Sequence, residues 1–189
     1  MSADRSVPEI LTESGAWLRG HFLLTSGLHS DQFLIMARAF ERPAWGRQLG
    51  RLVAELFRQD GVQAVVGPAM GGVLLAYEVA AALGCRALYT EKTETGMALK
   101  RGFRLAAGER VLVVEDAVST GGSVTKVLEH LRSQPALVVG VAAVADRSGG
   151  RAAFPVPFRS AWSLEVSQWT ADACPLCAKG VPLSRPKEG

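Results

Sequence analysis

The chain predicts an α/β fold, a mainly parallel twisted sheet flanked by helices, and three observations carry that prediction. Short, mostly apolar runs recur at 62–66, 85–89, 111–114 and 137–145, all but the second rich in valine, which is how strands of a covered sheet read. Apolar residues at helical spacing fill 73–83 and the stretch after 123, so strand and helix alternate. Glycine-rich turns, 67–72 and 119–123, sit where a strand hands over to a helix. In such sheets ligands bind at the carboxyl ends of the strands, and the polar, chemistry-bearing residues of this chain gather there.

Taken in order, residues 1–8 read as a frayed leader and 9–18 as a helix with Ile10, Leu11, Trp17 and Leu18 on one face. Residues 20–40 alternate apolar and polar around Thr25-Ser26-Gly27, the pattern of a hairpin outside the main sheet. Pro43 opens a helix whose Trp45, Leu49, Leu52, Val53, Leu56 and Phe57 form one stripe, and Gly61 ends it. Strand 62–66, helix 73–83 closed by Gly84, and strand 85–89 follow. A polar segment, 90–104, then leads to the 111–114 strand and its helix. The last long strand, 137–145, ends at Asp146-Arg147. No repeat, low-complexity stretch or linker divides the chain, so 1–189 reads as a single domain: a hood of about 9–40 with part of the C-terminal segment, and a core of about 43–147.

Composition narrows the function classes. A hydrophobic share of 48% and a charged share of 21% are ordinary for a soluble globular protein of 189 residues. The net charge of +3, without a basic run, suits small anionic ligands and gives no support to a nucleic-acid partner. No apolar run reaches membrane-spanning length and the N-terminus lacks a signal-peptide core, so a cytoplasmic location and no membrane partner are expected. Three cysteines make no disulfide framework. Cys174-Pro-Leu-Cys177 supplies half a tetrahedral zinc site, which His21, His29 or a second subunit's pair would have to complete. Two reduced thiols packing the tail is the preferred reading.

The stretch VLVVEDAVSTGGS, 111–123, organises the rest. Backbone amides at a helix start lack intrahelical partners and, with the helix dipole, attract anions. Gly121 and Gly122 let the chain wrap a phosphate, while Ser119, Thr120 and Ser123 add hydroxyl donors. No lysine follows the glycines, so this is not a Walker loop, and it is not a dinucleotide fingerprint. Glu115 and Asp116 would be costly to bury without partners and would repel a bare phosphate. A sugar carrying two hydroxyls and a 5′-phosphate, with Mg²⁺ nearby, satisfies both halves. Residues 67–72, GPAMGG, form a second turn of the same kind, and two anion-binding turns at neighbouring strand ends can hold a sugar diphosphate by both termini.

These residues closely resemble the phosphoribosyl-pyrophosphate signature of the type I phosphoribosyltransferases. The resemblance implies that fold, with an N-terminal hood. It also implies a pyrophosphate loop at Ala69, Met70, Gly71 and Gly72, with Lys92 contacting pyrophosphate. Glu115 and Asp116 are then expected on the ribose hydroxyls, and Ala117, Val118, Ser119, Thr120, Gly121, Gly122 and Ser123 around the 5′-phosphate. Catalysis is expected from Glu115, Asp116 and Lys92. Lys100 and Arg101 are further cationic candidates from composition. GHFLLTSGLHS, 20–30, resembles the hood of the orotate-specific members, and ACPLCAKGVPL looks like the tail of some bacterial ones, so the likeness runs from about residue 9 to 183.

For orotate the likeness implies Phe33 as a stacking plate, Arg147 as a cationic contact and Ser119 as a hydroxyl facing the carboxylate, with Thr25 in the hood. Many members carry a lysine where Thr25 stands, and 90–102 is shorter than the usual mobile loop. The expected activity is transfer of the 5-phosphoribosyl group from phosphoribosyl pyrophosphate to orotate, with Mg²⁺, by a homodimer acting in pyrimidine synthesis. A phosphoribosyltransferase for another base and a non-catalytic phosphoribosyl-pyrophosphate sensor are the alternatives.

Overall fold

The computed structural model describes residues 5–186. Helix α1 (Val7–Glu13) starts where the backbone amide of Ser6 donates to Glu9 Oε2 at 2.7 Å. It buries Val7, Ile10 and Leu11. The expected leader is therefore shorter than eight residues, since Val7 is already core, and its first four residues lie outside the described range. The expected helix over 9–18 also ends early. Ser14 caps it and Gly15 turns with φ +64°, so Trp17 and Leu18 belong to strand β1 (Trp17–Leu23) instead. Ser14-Gly15 is the stop signal, and the apolar spacing beyond it fits helix and strand alike.

Strand β1 pairs antiparallel with β2 (His29–Leu34) as a two-stranded sheet of its own, as expected of the hairpin, and Met36–Phe40 forms a 3₁₀ turn. Helix α2 (Pro43–Glu55) buries its predicted stripe: Leu49, Val53 and Phe57 are fully covered, and Trp45, Leu52 and Leu56 pack against the same core. The helix proper ends at Glu55, and turns carry the chain on to Gly61.

The main sheet has six strands in the order β5-β4-β3-β6-β7-β8. These are β3 (Ala64–Pro68), β4 (Arg86–Lys92), β5 (Met97–Leu99), β6 (Arg110–Val118), β7 (Leu137–Asp146) and β8 (Phe158–Ser163). All neighbours run parallel except β4 and β5. Two of these strands went unread in the sequence. β5 sits in the polar segment and is three residues long, and the main sheet continues past residue 147 into β8, whose FRSAWS carries no continuous apolar run.

Helices cover both faces. On one, α1, α2 and α3 (Gly71–Leu83) pack over Val65, Leu112, Val114, Ala142 and Val144. On the other, α4 (Gly122–Leu131) brings Val124, Val127, Leu128 and Leu131 onto Val66, Val111, Val113 and Val141. The alternation along β6 is the direct result of a strand buried on both sides. The chain after β8 turns back to the hairpin. Ser184 bridges Phe22, Trp169 bridges His29, and the short helix α5 (Pro175–Ala178) lies between them in sequence.

Candidate active site

Strands β3 and β6 are neighbours, so the turns that follow them open on the same rim of the sheet. β6 extends through Val118, which places the acidic pair inside the strand rather than after it. Successive side chains then start toward opposite faces. Asp116 shares the parity of Leu112 and Val114 and meets the start of α3: a Cβ on Gly71 would lie 2.7 Å from its Oδ2. Glu115 lines a small cavity with Ala117, Val118, Ser119, Thr120, Gly121, Gly122, Ser123 and Val124, at the start of α4. The pair thus spans the two helix starts.

Packing explains the glycines. A Cβ on Gly67 would meet the Gly72 carbonyl at 2.2 Å, and one on Gly72 would meet Pro68 Cδ at 2.6 Å, so this turn closes only without side chains. The Ala69–Met70 peptide is cis, and the Ala69 amide donates to the Thr90 carbonyl at 2.8 Å, which ties the turn to the end of β4. Gly121 adopts φ +77° beneath the Phe154 ring, 2.9 Å from where a Cβ would stand. Ser119, Thr120, Gly122 and Ser123 stay exposed.

Electrostatically the rim is poised. Glu115 is 8% exposed, and burial, then the Asp116 charge, push its carboxyl up to about 8. Burial raises Asp116 as well. The Ala117 amide, which donates to Asp116 Oδ1 at 2.6 Å, a hydrogen bond with Glu115 and the Arg147 charge oppose that rise. Burial thus favours the neutral form of both carboxyls. Donors arriving from a diol would favour full ionisation.

Arg147 follows β7 and its amide donates to the Val118 carbonyl at 2.8 Å. Its Nε is buried with no hydrogen-bond partner, and burial lowers its pKa while Asp116 raises it. Neighbouring Asp146 instead accepts from the Ser148 amide at 2.8 Å. A second orphan, Thr90 Oγ1, lies at the end of β4. Buried polar atoms without partners are rare in folded proteins, and two near the strand ends mark places where a ligand would complete the bonding. The sequence reading missed Thr90. A hydroxyl ending an apolar strand was the available signal.

The cationic candidates divide. Lys92 ends β4 and Lys100 follows β5, both exposed. Arg101 donates to Glu91 Oε1 at 2.7 Å, so its charge is partly spent within the hairpin. Segment 90–102 is a short β-hairpin, closed by the Thr93 amide on the Gly96 carbonyl at 2.9 Å. Thr25 and Phe33 meet in a hood cavity of about 320 Å³ with Leu23, Leu24, Gly27, Arg185 and Pro186. Phe33 is 8% exposed and tilts against Phe22 at 5.8 Å. Ser119 and Arg147 do not line that cavity. Arg185 and Pro186 come from the tail, where no pattern in the sequence marked them.

A two-turn rim with an acidic pair on a doubly covered parallel sheet defines a phosphoribosyltransferase, and a family model described as phosphoribosyl transferase domain matches residues 37–154. The crystal structure of orotate phosphoribosyltransferase from Aeropyrum pernix superposes with a TM-score of 0.73 at 30% identity, covering 84% of this chain and 93% of that one. An adenine phosphoribosyltransferase from Thermoanaerobacter pseudethanolicus shares the fold (TM-score 0.59, 14% identity, 70% and 88% covered). Orotate phosphoribosyltransferase of Caldanaerobacter subterraneus is 48% identical over 168 residues, 89% of this chain and 88% of that protein. The Thermus thermophilus enzyme of that name is 47% identical over 178 residues, 94% and 97% of the two chains. The chain belongs to the phosphoribosyltransferase family, among its orotate phosphoribosyltransferases.

Proposed function

We propose that this enzyme transfers the 5-phosphoribosyl group of phosphoribosyl pyrophosphate to orotate, giving orotidine 5′-monophosphate and pyrophosphate in pyrimidine synthesis. The observation that carries the reading is the Glu115–Asp116 pair held between the starts of α3 and α4. The carboxylates take the two ribose hydroxyls, the amides and hydroxyls of 117–123 take the 5′-phosphate, and 69–72 takes the pyrophosphate. Lys92, aided by Lys100, adds positive charge on the leaving side.

The bond from the anomeric carbon to pyrophosphate breaks, its electron pair leaving with the pyrophosphate. The orotate ring nitrogen, its proton already given to solvent, supplies the pair for the new bond. Positive charge on the sugar in between is met by the acidic pair, so positioning and electrostatics dominate. Arg147, Ser119, Thr25 and Phe33 are the proposed contacts to orotate, and the orphaned Nε of Arg147 supports its part.

Among the described residues no set of three carboxylates gathers at the rim. The donor set there fits Mg²⁺ held chiefly through substrate oxygens, as that ion prefers. Bound in this way Mg²⁺ would neutralise the departing diphosphate. We further propose one domain whose hood is the β1–β2 hairpin plus the tail, a cytoplasmic location, and a homodimer. Met70, Leu74 and Tyr77, 86%, 55% and 66% exposed and spaced four and three apart, offer a second copy one apolar face. No helix among the described residues is long and apolar enough to cross a membrane.

The assay is loss of orotate absorbance with phosphoribosyl pyrophosphate and Mg²⁺. Turnover with orotate, and none with adenine, guanine or uracil, is the expected result. Turnover on another base alone, or donor binding without turnover, would overturn it.

A further inference from the structure

A second constellation is built from the hairpin and the tail, and none of its residues belongs to the two turns of the rim. His21 on β1, His29 at the start of β2, and Cys174 and Cys177 of the tail bring their ligating atoms within 4.8 Å of one another. His21 Nε2 lies 3.0 Å from His29 Nδ1, 3.4 Å from Cys174 Sγ and 3.8 Å from Cys177 Sγ, and Cys177 Sγ lies 3.3 Å from His29 Nδ1. The four come from two strands of a hairpin and a turn about 150 residues further on.

We propose that these four side chains form a structural zinc centre that pins the C-terminal tail to the hood. Two facts beyond proximity support it. A tetrahedron with Zn–N of about 2.05 Å and Zn–S of about 2.3 Å has edges of about 3.3 Å between nitrogens and about 3.6 Å between nitrogen and sulfur. The four separations given above fall within a few tenths of an ångström of those edges, and the remaining two lie within the 4.8 Å that bounds the cluster. The second fact is the tautomer. His21 Nδ1 sits 2.8 Å from the Val181 carbonyl, to which it can only donate, so Nε2 carries the single lone pair. Three neighbours face that one lone pair. That lone pair points into the space shared with His29 Nδ1 and both sulfurs, so a cation placed there takes a lone pair from all four groups.

Two soft sulfurs and two imidazoles in a closed tetrahedron select zinc over Mg²⁺ or Ca²⁺. His21, His29 and Cys174 are buried and Cys177 lies at the surface, and because four protein ligands fill the tetrahedron no position is left for substrate, so the centre is structural. Its backbone supports are already built. Ser184 N and Oγ both donate to the His21 carbonyl, at 2.9 and 3.0 Å, and His29 and Trp169 exchange backbone bonds of 2.8 and 3.0 Å. Because Arg185 and Pro186 line the hood cavity, the centre also holds one wall of that cavity.

The test is metal analysis of the untagged full chain after desalting. About one zinc per chain is expected, falling below about a tenth in the C174S/C177S double variant and in H21N/H29N. Cobalt substitution of the wild-type chain should give thiolate-to-cobalt absorption in the near ultraviolet and strong visible bands, which decides the matter if a variant fails to fold. Removing zinc with a strong chelator should lower Tm by about 5 °C or more, and adding zinc back should restore it. Zinc below a tenth of an equivalent even after reconstitution would overturn the proposal. So would a Cys174–Cys177 disulfide in the native chain, stoichiometric iron instead of zinc, or full zinc retention in the double variant.

Discussion

The rim of the sheet and the His-Cys cluster at the hood are both small polar assemblies set in apolar surroundings, yet they are built in opposite ways. At the rim, carboxyls are held away from their ordinary ionisation and the Arg147 and Thr90 atoms go without partners. At the hood the elements are tied to one another, the two strands to each other, the tail to both strands and the His21 ring to a carbonyl, and Asp31 Oδ1 on β2 is the buried atom there without a partner among the described residues. The rim stores incompleteness that a ligand relieves. The cluster concentrates restraint where a hairpin and a tail have little core of their own.

Variants sharpen that contrast. The largest effect is expected from Asp116→Asn, which keeps the bond from the Ala117 amide but removes a buried charge. Turnover should drop about 10²–10³-fold while Tm holds or rises, as read by the orotate assay and by calorimetry. A matching loss of Tm would make Asp116 a folding residue and erase the difference between the regions.

Deleting residues 174–189 should do the converse. It removes both thiols and the Ser184 bonds to His21, lowering Tm by several degrees and raising the orotate KM about tenfold, with less change in kcat. Equal loss of kcat would place the tail in the chemistry.

Smaller still is a pH effect. Glu115 is raised from 4.5 to about 8 in the fold, so its folded form binds more protons than the unfolded chain. That contribution to stability is complete below 4.5 and is lost as pH rises through about 8. Ligand-free Tm should therefore decline across that window, and Glu115→Gln should flatten the decline. Donor affinity should move the other way, tightening by up to about tenfold per pH unit below the Glu115 value, because a diol donates to the ionised pair. A Tm profile identical in wild type and Glu115→Gln would remove the strain assigned to the rim.

Least of all should come from Arg101→Ala. Its partner Glu91 is part-exposed and Arg101 itself stands in solvent, so Tm should not change measurably. A rise in the donor KM without a change in Tm would show that the guanidinium leaves Glu91 for the ligand.

How far each region was legible follows from the range of its interactions. Strand β6, the loop after it and the first turn of α4 are local. An apolar run, two acids and a small-residue turn fall within thirteen consecutive residues, 111–123, and dictate their own backbone. β8 was hidden because half-buried positions at a sheet edge carry mixed residues. Trp17 and Leu18 were misplaced because their spacing fits helix and strand alike. Thr90 and Arg185 were missed because a single hydroxyl or guanidinium has no pattern until neighbours enclose it.

By itself the sequence determined the alternation of strand and helix, the two anion-binding turns and the acidic pair, since each is set by residues adjacent in the chain. Tertiary structure alone decided that Asp116 and Glu115 address different helix starts, that Arg147 and Thr90 keep unpartnered atoms, and that His21 and His29 face Cys174 and Cys177. Those outcomes depend on parallel register and on a tail returning across the hairpin, and nothing in residue order specifies which distant groups such a return brings together.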